Sequence, residues 1–194
     1  MERNPDDPED GRTRRRLDAM RRIQAAALDL FERDGFDAVT IDRIAQSAEV
    51  GPATVYRNFG SKERIVLWDD YDPELLQAIE RRLATTPPLR AVHEAVVERL
   101  DSVFARDKRR ILRRTRLMLE HPPIAALALS DQAALRDALA ALLEKRVRTR
   151  LVANVIAAAL VSALSVAVME WAVERAKRPL ADVLDEAFAA LAAL

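Results

Sequence analysis

Residues 40–59 must fit two short helices into twenty positions, with only enough apolar side chains to bury one side of each. Thr40 is a good N-cap, its hydroxyl able to accept from the open backbone N–H groups of the next turn. Ile41, Ile44, Ala45 and Ala48 then mark one face of a helix ending near Ala48. Gly51-Pro52 restarts a helix, with proline where a missing N–H costs nothing. In this second helix Val55 and Phe59 lie four apart on a buried stripe, leaving Pro52, Ala53, Thr54, Tyr56, Arg57 and Asn58 to face outward. The pattern is that of a helix-turn-helix, whose second helix can lie in the major groove of DNA.

The flanking segments support the same reading. A helix over 17–34 places Ile23, Ala26, Ala27, Leu30 and Phe31 on one face, and Gly35 stands where a left-handed cap is expected. Ser61 caps a fourth helix reaching about residue 71, with Ile65 and Leu67 or Trp68 packed back on the unit. Residues 1–16 lack apolar periodicity and read as a disordered arm ending in Arg12-Thr13-Arg14-Arg15-Arg16. Such an arm can enter a minor groove or lie along phosphates; it can equally be a solvated tail.

The segment 22–68 contains Ala27-Leu28-x-Leu30-Phe31, Gly35-Phe36, Val39-Thr40, Ile44-Ala45, Val50, Thr54-Val55-Tyr56-x-x-Phe59 and Ser61-Lys62-Glu63. In these motifs it resembles the N-terminal domain of TetR-type transcriptional regulators. The resemblance covers about a quarter of the chain and implies an all-α, homodimeric protein. Its N-terminal domain would bind an operator, and its C-terminal domain would carry the dimer interface and a ligand pocket. By motif position, the resemblance makes Thr40 and Lys62 phosphate contacts and Tyr56 a phosphate or base contact. Pro52, Ala53, Thr54, Arg57 and Asn58 become readers of base edges. One position departs from the pattern: Glu49 stands where the turn usually has glycine, and a positive φ there costs a residue with a side chain about 1 kcal/mol.

A chain of 194 residues, half of them hydrophobic, can bury one or two cores, and only four glycines with 5% aromatics favour helices. The absence of cysteine removes disulfides, thiol nucleophiles and cysteine metal sites, and fits a reducing cytosol. The polar, acidic start is unlike a signal peptide, so a cytoplasmic protein is expected. Net charge is zero, but residues 11–65 hold eleven basic and eight acidic side chains while the first ten hold one and five. That surplus is modest, so the DNA-binding expectation rests on motif geometry rather than charge.

The DNA-binding unit is expected over 17–71, with a break at Asp72-Pro73 and a ligand-binding and dimerisation domain over 73–194. Within the latter, helices are expected over 73–84, 89–105, 107–120, 130–148, 149–177 and 180–194, punctuated by Pro87-Pro88, Pro122-Pro123 and Arg178-Pro179. Residues 151–169 carry no charge and are long enough to span a bilayer. Six alanines with Asn154, Ser162 and Ser165 dilute that stretch, so a helix buried in a soluble protein is expected and no membrane partner. Ala159, Ala163 and Ala167 recur every fourth residue, a smooth stripe expected at the dimer interface. The resemblance agrees, because the last two long helices of such regulators form a four-helix dimer bundle.

Little in the chain suggests catalysis. There are two histidines: His93 reads as a surface residue beside Glu94, and His121 ends a helix, where it can face a cavity or meet terminal carbonyls. Asp69, Asp70 and Asp72 lack the glycine and terminal glutamate of a calcium loop, so neither metal nor cofactor is expected. Residues 106–116 form the densest basic segment, either a solvated face or an anion site beside an apolar pocket.

A second, weaker resemblance lies in Trp68-Asp-Asp-Tyr-Asp72, Arg114-x-Arg116-Leu-x-Leu119, Pro122 and Gln132, which look like a TetR subgroup that includes acyl-CoA-responsive regulators. It implies an amphipathic effector, with Phe104, Arg114, Met118, His121 and Trp171 as ligand-binding residues. The expected function is therefore a homodimeric repressor released from a palindromic operator by a small ligand such as a fatty acyl-CoA. The alternatives are a helical enzyme and a protein-interaction module whose helix-turn-helix no longer binds DNA.

Overall fold

The computed structural model describes residues 8–69 and 72–193, giving backbone alone for 8–10, 72–73 and 100–106. Among the described residues the chain is all helical, and it divides into two compact units, Met1–Trp68 and Asp69–Leu194.

The first unit holds α1 (Pro8–Asp34), α2 (Ile41–Ser47), α3 (Pro52–Phe59) and α4 (Lys62–Leu67). α1 packs on α2 and α4, and α3 packs on both of those. The stripe Met20, Ile23, Ala27, Leu30 and Phe31 buries α1 against Phe36, Val39, Ile44, Ala45, Val55, Phe59, Ile65 and Val66. Three expected caps are formed: Thr40 Oγ1 accepts from Arg43 N at 3.3 Å, Ser61 Oγ accepts from Arg64 N at 3.3 Å, and Gly35 leaves α1 at φ 83°. α1 differs from expectation at its start. It begins at Pro8, so residues 8–16 of the expected disordered arm are helical, while 1–7 lie outside the described residues. Arginine is a strong helix former, and Arg15 Nε donates to the Gly11 carbonyl one turn back, so the helix extends beyond the apolar stripe that anchors it.

The second unit holds α5 (Asp72–Leu83), α6 (Pro88–Glu120), α7 (Pro122–Glu144), α8 (Arg150–Val173) and α9 (Leu180–Ala192). α8 packs on α7, α9 and α6, and α5 packs on α6 and α7. Prolines stand at the first position of α6 and α7, where a helix tolerates them. The expected ends at 148 and 177 fall at Glu144 and Val173, and two boundaries differ more. Residues 89–120 form one helix, because nothing between Ala105 and Asp107 breaks it, and α7 starts at Pro122 rather than near Ser130.

Among the described residues α8 is the one helix long and apolar enough to cross a membrane. It buries Ala153, Ala157, Leu160, Val161, Ala167, Trp171 and Ala172 in the unit's own core. Of the Ala159, Ala163, Ala167 stripe expected at the dimer interface, Ala167 is 1% exposed on the single chain, and Ala159 and Ala163 are half-buried. The apolar side chains that α8 leaves open are Leu151, Val152, Val155, Val166 and Val173.

Candidate nucleic-acid interface

The turn between α2 and α3 is a Schellman cap: Glu49 N donates to Gln46 O at 3.2 Å and Val50 N donates to Ala45 O at 3.0 Å. Glu49 holds φ 55°, the left-handed conformation for which glycine is the usual choice. The departure in sequence therefore leaves the turn geometry in place and stores local strain. Gly51 follows as the N-cap of α3, and Gly60 closes that helix at φ 76°.

α3 buries Val55 and Phe59 and presents its other side to solvent, with Pro52, Ala53, Tyr56 and Arg57 exposed and Thr54 half-buried. Tyr56 is 55% exposed, which for an aromatic ring on a short helix is a large contact surface left uncovered. Thr40 flanks this face from the start of α2. Its oxygen accepts the capping hydrogen bond while its O–H stays available to donate. Lys62 flanks it from α4: its Nζ donates to Phe36 O at 2.8 Å and lies 4.6 Å from the centre of the Phe36 ring. An ammonium has three donors, so the tether positions the charge without exhausting it.

Asn58 was expected to read a base edge, and its side chain is engaged otherwise. Its Nδ2 donates to Thr54 O at 2.8 Å and its Oδ1 accepts from Arg16 Nε at 3.1 Å. Arg16, on the helical extension of α1, was expected only as part of a loose arm.

The residues expected to bind a ligand have the following places in the second unit. Phe104 lies outside the residues whose side chains are described. Arg114 pairs with Asp69, Nη1 to Oδ2 at 3.1 Å, and Met118 is half-buried on α6. His121 joins α6 to α7, its N–H donating to Leu117 O while its carbonyl accepts from Ile124 and Ala125. Trp171 is fully buried at the α8–α9 corner, with Nε1 donating to Arg178 O at 3.1 Å. His93, expected at the surface, ties α6 to α9 through Asp185 at 2.7 Å and a stacked contact with Phe188.

An apolar cavity of about 10 Å³ lies elsewhere, lined by Leu75, Ile79, Val92, Val96, Leu139 and Leu160 among others. Val92 and Val96 sit on a stripe of α6 that continues at helical spacing through Arg99 to Arg110 and Arg113, whose side chains are partly buried. Arg99 pairs with Glu74 and Arg110 with Asp107. One face of α6 thus changes from apolar to cationic along its length.

Two family models cover most of the chain. Residues 23–67 match the model described as bacterial regulatory proteins, tetR family, and residues 86–194 match the MftR C-terminal domain. The chain is a TetR-family transcriptional regulator. The HTH-type transcriptional regulator TcmR of Streptomyces glaucescens is 39% identical over 71 residues, a match that covers 36% of this chain and 31% of that relative's length. The mycofactocin biosynthesis regulator MftR of Mycobacterium tuberculosis is 29% identical over 139 residues, 69% of this chain and 68% of MftR. Among solved structures, the TetR-family repressor FadR of Thermus thermophilus in complex with lauroyl-CoA superposes with a TM-score of 0.57 at 25% identity, covering 87% of this chain and 90% of FadR. Membership in this family of DNA-binding regulators sets aside the enzyme alternative.

Proposed function

We propose that this TetR-family regulator acts as a homodimeric repressor of a palindromic operator and is released by an amphipathic ligand of the fatty acyl-CoA class. The observation that carries the DNA half of the reading is the outward face of α3, where Pro52, Ala53, Thr54, Tyr56 and Arg57 stand between the capping Thr40 and the tethered Lys62. Two such helices in a two-fold dimer meet successive major grooves about 34–36 Å apart. Thr40 and Lys62 hold the phosphates, and the α3 side chains read base edges. Supporting the ligand half are the lauroyl-CoA held by the Thermus thermophilus relative and the α6 stripe running from Val92 and Val96 to Arg99, Arg110 and Arg113. An acyl chain suits the apolar end and an anionic head the guanidinium end. The 10 Å³ cavity holds about one water, so an acyl chain has to part the walls on entry. That opening makes ligand and DNA compete for different states of one protein, with a coupling of about 1–3 kcal/mol.

The test is selection of a binding site from a random-sequence duplex pool by the full chain, followed by titration of lauroyl-CoA into the resulting complex. An inverted repeat should be enriched, and lauroyl-CoA should lower DNA affinity by about 5–150-fold, the range of ordinary allosteric coupling. Lack of enrichment refutes operator binding. Displacement by a neutral hydrophobic drug alone refutes the anionic head.

A further inference from the structure

The geometry points to Arg16 as a phosphate contact of the DNA-binding face, held in place by Asn58 acting as a positioning residue. The inference rests on the operator-binding reading of α3. The face of α1 that carries Met20, Ile23, Ala27 and Phe31 into the core runs upstream, at helical spacing, to Arg16 and Arg12. Before Met20 there is no core left to cover, and the guanidinium of Arg16 instead reaches the side of α3, forty-two residues away in sequence.

Asn58 is committed at both ends of its amide. Nδ2 closes onto the Thr54 carbonyl and Oδ1 accepts from Arg16 Nε. Neither end is therefore free for the bidentate adenine contact that asparagine makes in a major groove. Arg16, by contrast, has given up one N–H of five, and among the described residues its terminal Nη1 and Nη2 groups meet no acceptor. They are exposed on a segment that carries Arg12, Arg14, Arg15 and Arg16 within five residues. Because it emerges from α1 beside α3 rather than from α3 itself, the guanidinium meets the strand bordering the groove. A planar fork with one edge fixed and the other open is well suited to a phosphate.

Binding of wild type, Arg16→Ala, Asn58→Ala and the double variant to an unselected random-sequence duplex pool is measured across a salt series, and each protein is also used for site selection. Arg16→Ala should weaken binding to all members of the pool and reduce the slope of log affinity against log salt by about 0.9 per protomer. Asn58→Ala should weaken binding on the order of threefold to tenfold, the cost of ordering a freed arginine, and should leave the selected sequence as in wild type. In the Arg16→Ala background the Asn58 change should add nothing further. An unchanged salt slope for Arg16→Ala overturns the phosphate contact, and an altered sequence preference for Asn58→Ala overturns its role as a positioning residue. Loss that depends on A·T content would place Arg16 in a minor groove and likewise overturn the proposal. These outcomes are read on the pool itself, so they are separable from a failure of wild type to select any operator.

Discussion

The side-chain amide of Gln24 donates to the carbonyl of Trp68 at 2.9 Å and to that of Ile65 at 2.7 Å, joining the middle of α1 to the last turn of α4. The last carbonyls of a helix have no partner within it, and those of Ile65 and Trp68 accept from the buried Gln24 amide instead. Gln24 is fully buried, so replacing it with leucine strands those carbonyls. Gln24→Leu should cost about 1–3 kcal/mol of stability despite its similar size, read as a lower urea midpoint at unchanged slope.

The strain at Glu49 predicts a gain. Its left-handed φ of 55° is intrinsic to the Schellman cap between α2 and α3. Glu49→Gly should raise thermal stability by about 1 kcal/mol, less a part lost to the freer unfolded chain. Gly60→Ala, at φ 76°, should lower it by a similar amount. Opposite signs from two turns bounding one recognition helix would be seen in paired calorimetric scans.

Asp34 is held to a pKa of about 2, chiefly by its hydrogen bond with Arg33, which together with Arg43 outweighs the opposing effect of desolvation. Because the folded value lies below the ordinary 3.8, the contribution is complete above that pH and is lost as pH falls through about 2. Carboxyl NMR titration should find the Asp34 midpoint near 2 in wild type. Arg33→Ala should raise it more than Arg43→Ala, and the reverse order would refute the assignment of causes.

On DNA, Lys62→Ala and Arg57→Ala should separate. Lys62 is tethered beside the interface by Phe36, and its loss should weaken binding to all duplexes alike and reduce the salt slope by about 0.9. Arg57 is exposed on α3 with no fixed partner among the described residues, and its loss should relax preference at one position by about 1–3 kcal/mol. Equal effects on selected and unselected duplexes would remove Arg57 from base readout.

The DNA-binding half was legible because its signals are local. Thr40, Ser61, Pro52 and Gly35 each fix a helix end through neighbours three or four residues away, and Val55 and Phe59 define a buried stripe without reference to anything distant. The tie of Asn58 to Arg16 was not legible for the opposite reason, since Arg16 lies forty-two residues upstream on a stretch with no apolar periodicity. In the second unit, α8 is apolar nearly all round, so spacing alone cannot say which face turns inward, and the burial of Ala167 was not legible. The single helix α6 was divided at a charged cluster that contains no helix breaker.

Ala167 turns inward, and we propose that the neighbouring face of α8 supplies the dimer contact. Val155, Val166 and Val173 are 59%, 51% and 61% exposed on the single chain, while the same helix buries seven residues in its own core. Val155, Val166 and Val173 fall eleven and seven residues apart, which at 3.6 residues per turn keeps them on one side. A row of open valines on a helix of this hydropathy is the kind of surface that a second copy covers through a two-fold contact. Val166→Arg should therefore leave the fold of the single chain intact but bury an uncompensated charge in the dimer, raising its dissociation constant about a hundredfold or more. Ala167→Arg should unfold the unit instead, because Ala167 is 1% exposed before any partner arrives. Sedimentation velocity with circular dichroism distinguishes the two. If Val166→Arg remains dimeric at the concentrations where wild type is dimeric, α8 does not supply the interface through this face.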